Sequence, residues 1–93
     1  MATNLDDEIL KALAEPHRRA ILRLVTREEM SAGDIASAFA VSRSAVSQHL
    51  TVLRTVGLLH ERRDGARRLY RTRSEGLAGL ATLLHELGAG AQG

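Results

Sequence analysis

The segment 42–59 restricts the possible fold more than any other part of the chain. Apolar residues recur every three or four positions, at Val46, Leu50 and Leu53, which predicts a helix with one buried face. Gly57 follows where helices commonly end in the left-handed conformation. The helical period then stops, so we predict that strands follow this helix directly.

Capping and turn residues divide the remainder of the chain. Helices are predicted over 5–13, from Pro16 onward, after an N-cap at Ser31, and over 74–87 with Ser74 as its cap. Residues 59–63 and 66–73 are predicted as strands joined by a two-residue turn at 64–65, the dipeptide Asp-Gly. The fold class is therefore mainly α with a small β-hairpin: a winged helix-turn-helix with five helices, the hairpin lying between the fourth and fifth.

Length and composition favour a single domain over 1–93. Within it we place the helix-turn-helix at about 31–56, the wing at about 58–73, two terminal helices at 5–13 and 74–87, and a flexible tail at 88–93. The chain has no cysteine, which excludes disulfides and thiolate metal sites. It has neither a secretory signal pattern nor an apolar run long enough for a bilayer, so a cytoplasmic location without membrane association is expected.

Positive charge is concentrated in one part of the chain. Residues 42–73 contain eight arginines and two acids, a net charge of +6 in a chain whose total is +2. Such clustering indicates a surface for a polyanion. A GC-rich genome would also favour arginine, but it would not by itself explain the clustering.

Three segments resemble the ArsR/SmtB-type bacterial transcriptional repressors: LKALAEPHRRAILRLV at 10–25, EMSAGDIASAFAVSRSAVSQHLTVLRTVGLL at 29–59, and RRDGARRLYR at 62–71. The resemblance covers roughly 10–87. It implies a cytoplasmic, nucleoid-associated homodimer that binds a palindromic operator in double-stranded DNA. The fourth helix would enter the major groove, the wing would touch the backbone, and the terminal helices would form the dimer interface.

The chain departs from the metal-sensing members of that family. Ser31 and Gly33 stand where those members carry two cysteines, so no thiolate site is expected. A second family site uses acidic residues and histidines of the last helix, where this chain offers Glu75, His85 and Glu86. His85 and Glu86 are adjacent and diverge around a helix. We therefore expect no metal site and no cofactor. A role for these three residues in metal binding stays an open alternative.

Polar residues on the fourth helix are the candidates for DNA contact. We predict base contacts from Ser44, Ser47 and Gln48, because glutamine can pair with adenine and serine can serve either kind of base edge. The alternative is an ordinary solvated helix face. The residues predicted to contact phosphates, on the helix and the wing, are Arg43, Thr51, Arg54, Arg62, Arg63, Arg67 and Arg68. A charged hairpin can also serve only to discourage strand aggregation.

The apolar stripes of the terminal helices predict a dimer interface. Its residues are Leu5, Ile9, Leu80, Leu83, Leu84 and Leu87. The alternative is that they complete the core of one chain. His49 is interpreted as a packing or hydrogen-bonding residue, and His17, His60 and His85 as surface or capping residues.

No catalytic arrangement or phosphate-binding loop is present in the sequence, so the chain is predicted not to be an enzyme. The leading hypothesis is a dimeric, sequence-specific repressor without thiolate metal sensing. Two alternatives remain: a winged-helix module that binds a protein, which would need an apolar patch on the fourth helix, and a repressor with an unrecognised metal or small-molecule inducer.

Overall fold

The computed structural model describes residues 5–88 and confirms a winged helix-turn-helix. The elements in chain order are α1 (Leu5–Leu13), α2 (Pro16–Arg27), β1 (Met30–Ser31), α3 (Ala32–Phe39), α4 (Arg43–Thr55), β2 (Leu59–Asp64), β3 (Arg67–Thr72) and α5 (Ser74–Glu86). Apart from Gly88, the tail predicted at 88–93 lies outside the described residues.

α4 begins and ends through the local contacts expected from its sequence. The Ser42 hydroxyl accepts a hydrogen bond from the Ala45 N–H at 3.0 Å, which satisfies one of the free donors of the first turn. At the other end Gly57 has φ +82°, and the Leu58 N–H donates to the Leu53 carbonyl at 2.9 Å. This Schellman pattern fixes where the chain leaves α4 and enters the hairpin.

The turn between α3 and α4 uses a left-handed alanine. α3 begins at its predicted cap, where the Ser31 hydroxyl accepts a hydrogen bond from the Asp34 N–H at 3.2 Å. It ends at Ala40, the one described non-glycine residue with positive φ (53°). That conformation is unfavourable for a residue with a Cβ, so tertiary packing of the helix pair must hold it.

The hairpin belongs to a three-stranded antiparallel sheet in the order β1-β3-β2. The strand β1 was not predicted, because two residues are too few to show an alternating pattern. Its residue Met30 pairs with Tyr70, and Ser31 pairs with Leu69.

The predicted position of the hairpin turn was wrong by one residue. Asp64 pairs with Arg67 in the ladder, so the two turn residues are Gly65 and Ala66. Gly65 has φ +64°, whereas Ala66 does not have a positive φ. Positive φ at only the first turn position is typical of a type II′ turn, which favours glycine there.

One apolar core joins the helices to the sheet. Its most deeply buried side chains are Ile21, Val25, Ile35, Val46, Leu53 and Leu58. These come from α2, α3, α4 and the start of the hairpin, so the helix pair and the wing pack on a common centre. Within residues 5–88 no helix combines the length and apolarity needed to span a bilayer.

α5 starts against the junction between α4 and β2. Ser74 was predicted to cap α5, but it is the first residue of the helix; the capping position is Arg73, which makes no side-chain capping bond. The Arg73 N–H instead donates to the Leu58 carbonyl at 3.0 Å. Gly76 lies so near the same junction that a Cβ on it would stand 2.1 Å from the Gly57 carbonyl oxygen.

Candidate nucleic-acid interface

The exposed side of α4 carries five polar side chains, which we call the recognition face. They are Arg43, Ser44, Ser47, Gln48 and Thr51, all solvent-exposed. The opposite side of α4 is anchored by its buried apolar residues. A protein-binding version of this surface would need apolar side chains, and the recognition face has none.

The members of the recognition face differ in how far their polar groups are available. Thr51 donates its hydroxyl proton to the Ser47 carbonyl at 3.0 Å, within its own helix. The side chains of Ser44, Ser47 and Gln48 have no hydrogen-bond partner among the described residues. These three predicted base-contacting side chains therefore present free donors and acceptors to an incoming ligand.

A groove joins the recognition face to the wing. It is lined by Ser31, Ala32, Gly33, Arg43, Ser47, Ala66, Arg67, Arg68 and Tyr70. Gly33 lies beside Arg43, and a Cβ at Gly33 would make an ordinary van der Waals contact of 3.4 Å with the Arg43 Nη1 atom. The groove thus brings an arginine of α4 and two arginines of β3 to one surface, an arrangement suited to a phosphate backbone.

Several arginines that are predicted to contact DNA phosphates form ion pairs with carboxylates of the same chain. Arg62 donates from Nε to Glu29 Oε2 at 2.7 Å and from Nη2 to Glu29 Oε1 at 2.6 Å. This paired contact lowers the pKa of Glu29 from its usual value and raises that of Arg62. Arg67 lies 3.3 Å from Asp34 of α3 in a second ion pair.

Glu61 of β2 is shared by two further arginines. Arg54 of α4 donates from Nη1 to Glu61 Oε2, and Arg68 Nε lies 3.7 Å from Glu61 Oε1. Within the described part of the chain, Arg43, Arg63 and Arg71 have no ion pair. Arg71 had no assigned role in the sequence interpretation, although its exposed position on β3 adds it to the basic surface.

These pairings change the electrostatic picture derived from the sequence. The segment 42–73 has a net charge of +6, but Glu29 and Asp34, which lie outside it, reach across to its arginines. Exposed ion pairs contribute only about 0–1 kcal/mol each, so a DNA phosphate can compete for the same guanidinium groups. The arginine side chains of the wing are therefore held by weak pairs that a phosphate can replace.

The predicted dimer residues fall into two groups. Ile9 and Leu83 are buried within the chain, and Leu80 packs against the core, as the alternative interpretation expected. Leu5, Leu84 and Leu87 expose 58%, 43% and 68% of their surface, respectively. Two further exposed leucines, Leu10 of α1 and Leu77 of α5, were not among the predicted interface residues.

The structure brings together a side-chain cluster that sequence reasoning did not connect. His49 of α4 stacks on His17 at the start of α2, with ring centroids 5.9 Å apart, and Glu15 lies beside both. No pattern in the sequence relates position 49 to positions 15 and 17, because only tertiary packing joins them. Across residues 5–88, Glu75, His85 and Glu86 form no such group within one chain.

Comparisons with known proteins agree with this geometry. A family model described as a helix-turn-helix domain matches residues 13–62. The "HTH-type transcriptional regulator Rv2034" of Mycobacterium tuberculosis is 43% identical over 76 residues, covering 82% of this chain and 71% of that protein. The "Transcriptional activator HlyU" of Vibrio cholerae is 37% identical over 79 residues, covering 85% of this chain and 73% of that protein.

The solved structures give the same result. An "ArsR-like Transcriptional Regulator" from Rhodococcus sp. RHA1 superposes with a TM-score of 0.82 at 30% identity, covering 91% of this chain and 80% of that one. The family consists of DNA-binding regulators, which confirms the prediction that the chain is not an enzyme. On the combined evidence of the recognition face, the wing and these similarities, the chain belongs to the ArsR/SmtB-type family of helix-turn-helix transcriptional regulators.

Proposed function

We propose that the chain is a sequence-specific repressor that binds a palindromic operator as a homodimer. The observation that carries this proposal is the recognition face, where Ser44, Ser47 and Gln48 present unpartnered polar groups beside an arginine-lined groove. Neither feature alone would suffice. Together they provide base contacts and backbone contacts on one continuous surface.

Base selectivity would come from α4 in the major groove. The Gln48 side-chain amide can donate from its NH₂ group to adenine N7 and accept at its oxygen from the adenine N6 amino group. Ser44 and Ser47 can act as donor or acceptor, so they suit more than one base. The Schellman end and the Ser42 cap fix the axis of α4, which sets how deeply these side chains reach.

Affinity would come mainly from arginine–phosphate contacts, with Thr51 contributing to backbone contact. Arg43 and Arg63, which have no ion pair among residues 5–88, are free to bind phosphates directly. Arg54, Arg62, Arg67 and Arg68 would exchange a carboxylate for a phosphate. Each phosphate neutralised releases counterions, so binding should weaken steeply with salt.

Dimerisation would use the leucines left exposed on the terminal helices. Leu5, Leu84 and Leu87 expose large apolar side chains that a second copy could bury. A two-fold dimer presents two copies of α4 to DNA, which explains the expected palindrome. Ile9 and Leu83 would support this interface from within rather than form its surface.

Repression requires only that the bound dimer covers promoter DNA and excludes polymerase. The relative from Vibrio cholerae is named as an activator, so activation is the second candidate. In vitro transcription from a promoter that contains the DNA sequence bound by the protein separates repression from activation, since repression lowers the amount of transcript and activation raises it. We further propose that operator release does not use thiolates, because cysteine is absent, and that the protein acts in the cytoplasm at the nucleoid.

Selection of bound fragments from random duplex DNA tests the proposal. We expect an enriched inverted repeat bound by two chains. Gln48→Ala should relax the preference at one position of each half-site and cost roughly 1–3 kcal/mol of operator binding. Ser37→Ala is the matched control, because the exposed Ser37 hydroxyl bonds to its own helix at the Gly33 carbonyl.

Two results would contradict the proposal. The first is recovery of no consensus sequence together with failure to shift any duplex at low salt, which would favour the protein-binding module. The second is equal loss of binding to operator and to random DNA in Gln48→Ala, which would remove Gln48 from base recognition. Unchanged selectivity in Ser37→Ala is expected in either case.

A further inference from the structure

The cluster of Glu15, His17 and His49 has the composition of a metal site. Glu15 and His17 lie at the start of α2, and His49 lies on α4 beside Gln48. Each offers one ligand atom, and these atoms lie within 4.8 Å of one another. Among residues 5–88 this is the one group of three or more such side chains that meets in this way.

The distances fit a small tetrahedral ion after modest side-chain movement. His17 Nδ1 is 3.1 Å from Glu15 Oε1, and His49 Nε2 is 3.8 Å from Glu15 Oε2. Ligands bonded at about 2.0–2.2 Å in tetrahedral geometry lie about 3.3–3.6 Å apart. The observed separations, one to each Glu15 oxygen, lie on either side of that range, so small side-chain rotations would bring the ligand atoms to it.

The surroundings hold Glu15 and His49 in place and leave His17 accessible from solvent. Glu15 is the N-cap of α2, and its Oε2 accepts a hydrogen bond from the Arg18 N–H at 3.1 Å. The His49 side chain is 19% exposed, whereas His17 is 50% exposed. The rings are stacked with 9° between their planes, and because an imidazole nitrogen coordinates in the plane of its ring, the exposed His17 ring must rotate to share an ion with His49. A site with two fixed ligands and one accessible ligand can admit an ion without unfolding.

We propose that Glu15, His17 and His49 bind a divalent transition-metal ion that links α2 to α4 beside the recognition face. Two imidazoles and a carboxylate suit zinc and cobalt, with water in the fourth position. The site uses no thiolate and no residue of α5. It is therefore distinct from both sites considered in the sequence interpretation.

Binding would also change the hydrogen bonding of α4. Arg18 Nε can only donate, so the bond of 3.3 Å that it makes to His49 Nδ1 leaves the ring proton on Nε2. Coordination through Nε2 places that proton on Nδ1, because a neutral imidazole carries one proton. The bond from Arg18 to His49 would then be given up, although Arg18 Nη1 retains the Ala12 carbonyl at 3.2 Å.

Cobalt binding to the full-length, chelator-treated protein tests the site without DNA, so its outcome does not depend on the proposed function. We expect about one Co²⁺ per chain, with the strong visible absorption of tetrahedral cobalt, and displacement by Zn²⁺. Zinc should also raise the Tm, since an ion that binds only the folded chain stabilises it.

Variants locate the ligands. His17→Ala changes a half-exposed side chain and should weaken Co²⁺ binding by at least about tenfold. Glu15→Gln keeps an oxygen for the helix cap but loses the charged ligand, and should weaken binding similarly. His85→Ala is the matched control, because His85 is an exposed histidine of α5, and it should bind cobalt as the wild type does.

Three outcomes would overturn the proposal. Absence of cobalt binding would leave the cluster as a hydrogen-bonded contact between α2 and α4. Unchanged binding in His17→Ala would place the ion elsewhere. Loss of binding in His85→Ala would assign the ion to α5. Circular dichroism of His17→Ala that matches the wild type would exclude misfolding as the cause of a loss.

Discussion

Gly76 and Gly79 of α5 provide a paired test of the packing, because the same substitution should have opposite effects. An ideal Cβ at Gly76 would lie 2.1 Å from the Gly57 carbonyl oxygen and 3.0 Å from the Gly57 carbonyl carbon. A Cβ at Gly79 would meet nothing within 4 Å. Gly76→Ala should therefore destabilise the fold, and Gly79→Ala should stabilise it.

The magnitudes follow from the contacts. The neighbours of Gly76 are backbone atoms that cannot rotate away, so the first turn of α5 must retreat by about 1 Å. Overpacking of this kind costs about 1–3 kcal/mol, and the better helix propensity of alanine returns up to about 1 kcal/mol. We expect Gly76→Ala to lower the free energy of unfolding by roughly 1–2 kcal/mol, or the Tm by about 4–16 °C. Gly79→Ala should raise the free energy of unfolding by about 0.5–1 kcal/mol.

Thermal and urea unfolding at one fixed protein concentration measure both variants, since dimerisation would make the Tm concentration-dependent. The retreat of α5 should also break the hydrogen bond of 3.0 Å from the Arg73 N–H to the Leu58 carbonyl, so that amide should exchange faster with solvent in Gly76→Ala. Equal stabilisation by both substitutions would refute the close approach of α5 to Gly57.

Three further predictions concern the wing, a helix cap and the dimer. Because the bond to Arg62 lowers the pKa of Glu29, this pair stabilises the folded chain above the usual carboxyl pKa, and the stabilisation is lost as the pH falls through the lowered value. Glu29→Gln should remove that part of the acid sensitivity, measured as Tm against pH. Equal acid sensitivity of the variant and the wild type would contradict this prediction. Ser42→Ala should lower the free energy of unfolding by about 1 kcal/mol in urea denaturation, through loss of the α4 cap, and an unchanged midpoint would show that the cap contributes nothing. Leu84→Glu should dissociate the proposed dimer in analytical ultracentrifugation, whereas Thr82→Glu, at an exposed position of the same helix, should leave it intact. If the Leu84→Glu variant stays dimeric, the interface lies elsewhere.

The helices and the recognition face could be predicted because local chemistry specifies them. Ser31, Ser42 and Gly57 each act through neighbours fewer than six residues away, so their roles are visible in the sequence. The three polar candidates for base contact follow from the buried stripe of α4, because the helical period that places the apolar residues on one face also determines which residues lie on the opposite face.

Apart from the turn position and the cap of α5, the missed features depend on contacts between distant segments. The two-residue strand β1 forms only because β3 is available to pair with it. Gly76 permits a close approach to Gly57, 19 positions earlier, and no local pattern in the sequence shows this contact. The bond between Glu29 and Arg62 likewise spans 33 positions, so the sequence alone showed a basic segment but not the acids that hold it.

Ser31 takes part in two structures at once. Its backbone pairs with Leu69 of the wing, and its hydroxyl caps α3, the helix that supports α4. A wing that slipped by one residue would carry the capping oxygen away from Asp34 and open the first turn of α3. The separation between the recognition face and the wing is thus set within each chain, so in the proposed dimer only the arrangement of the two chains could adjust the spacing between the proposed operator half-sites.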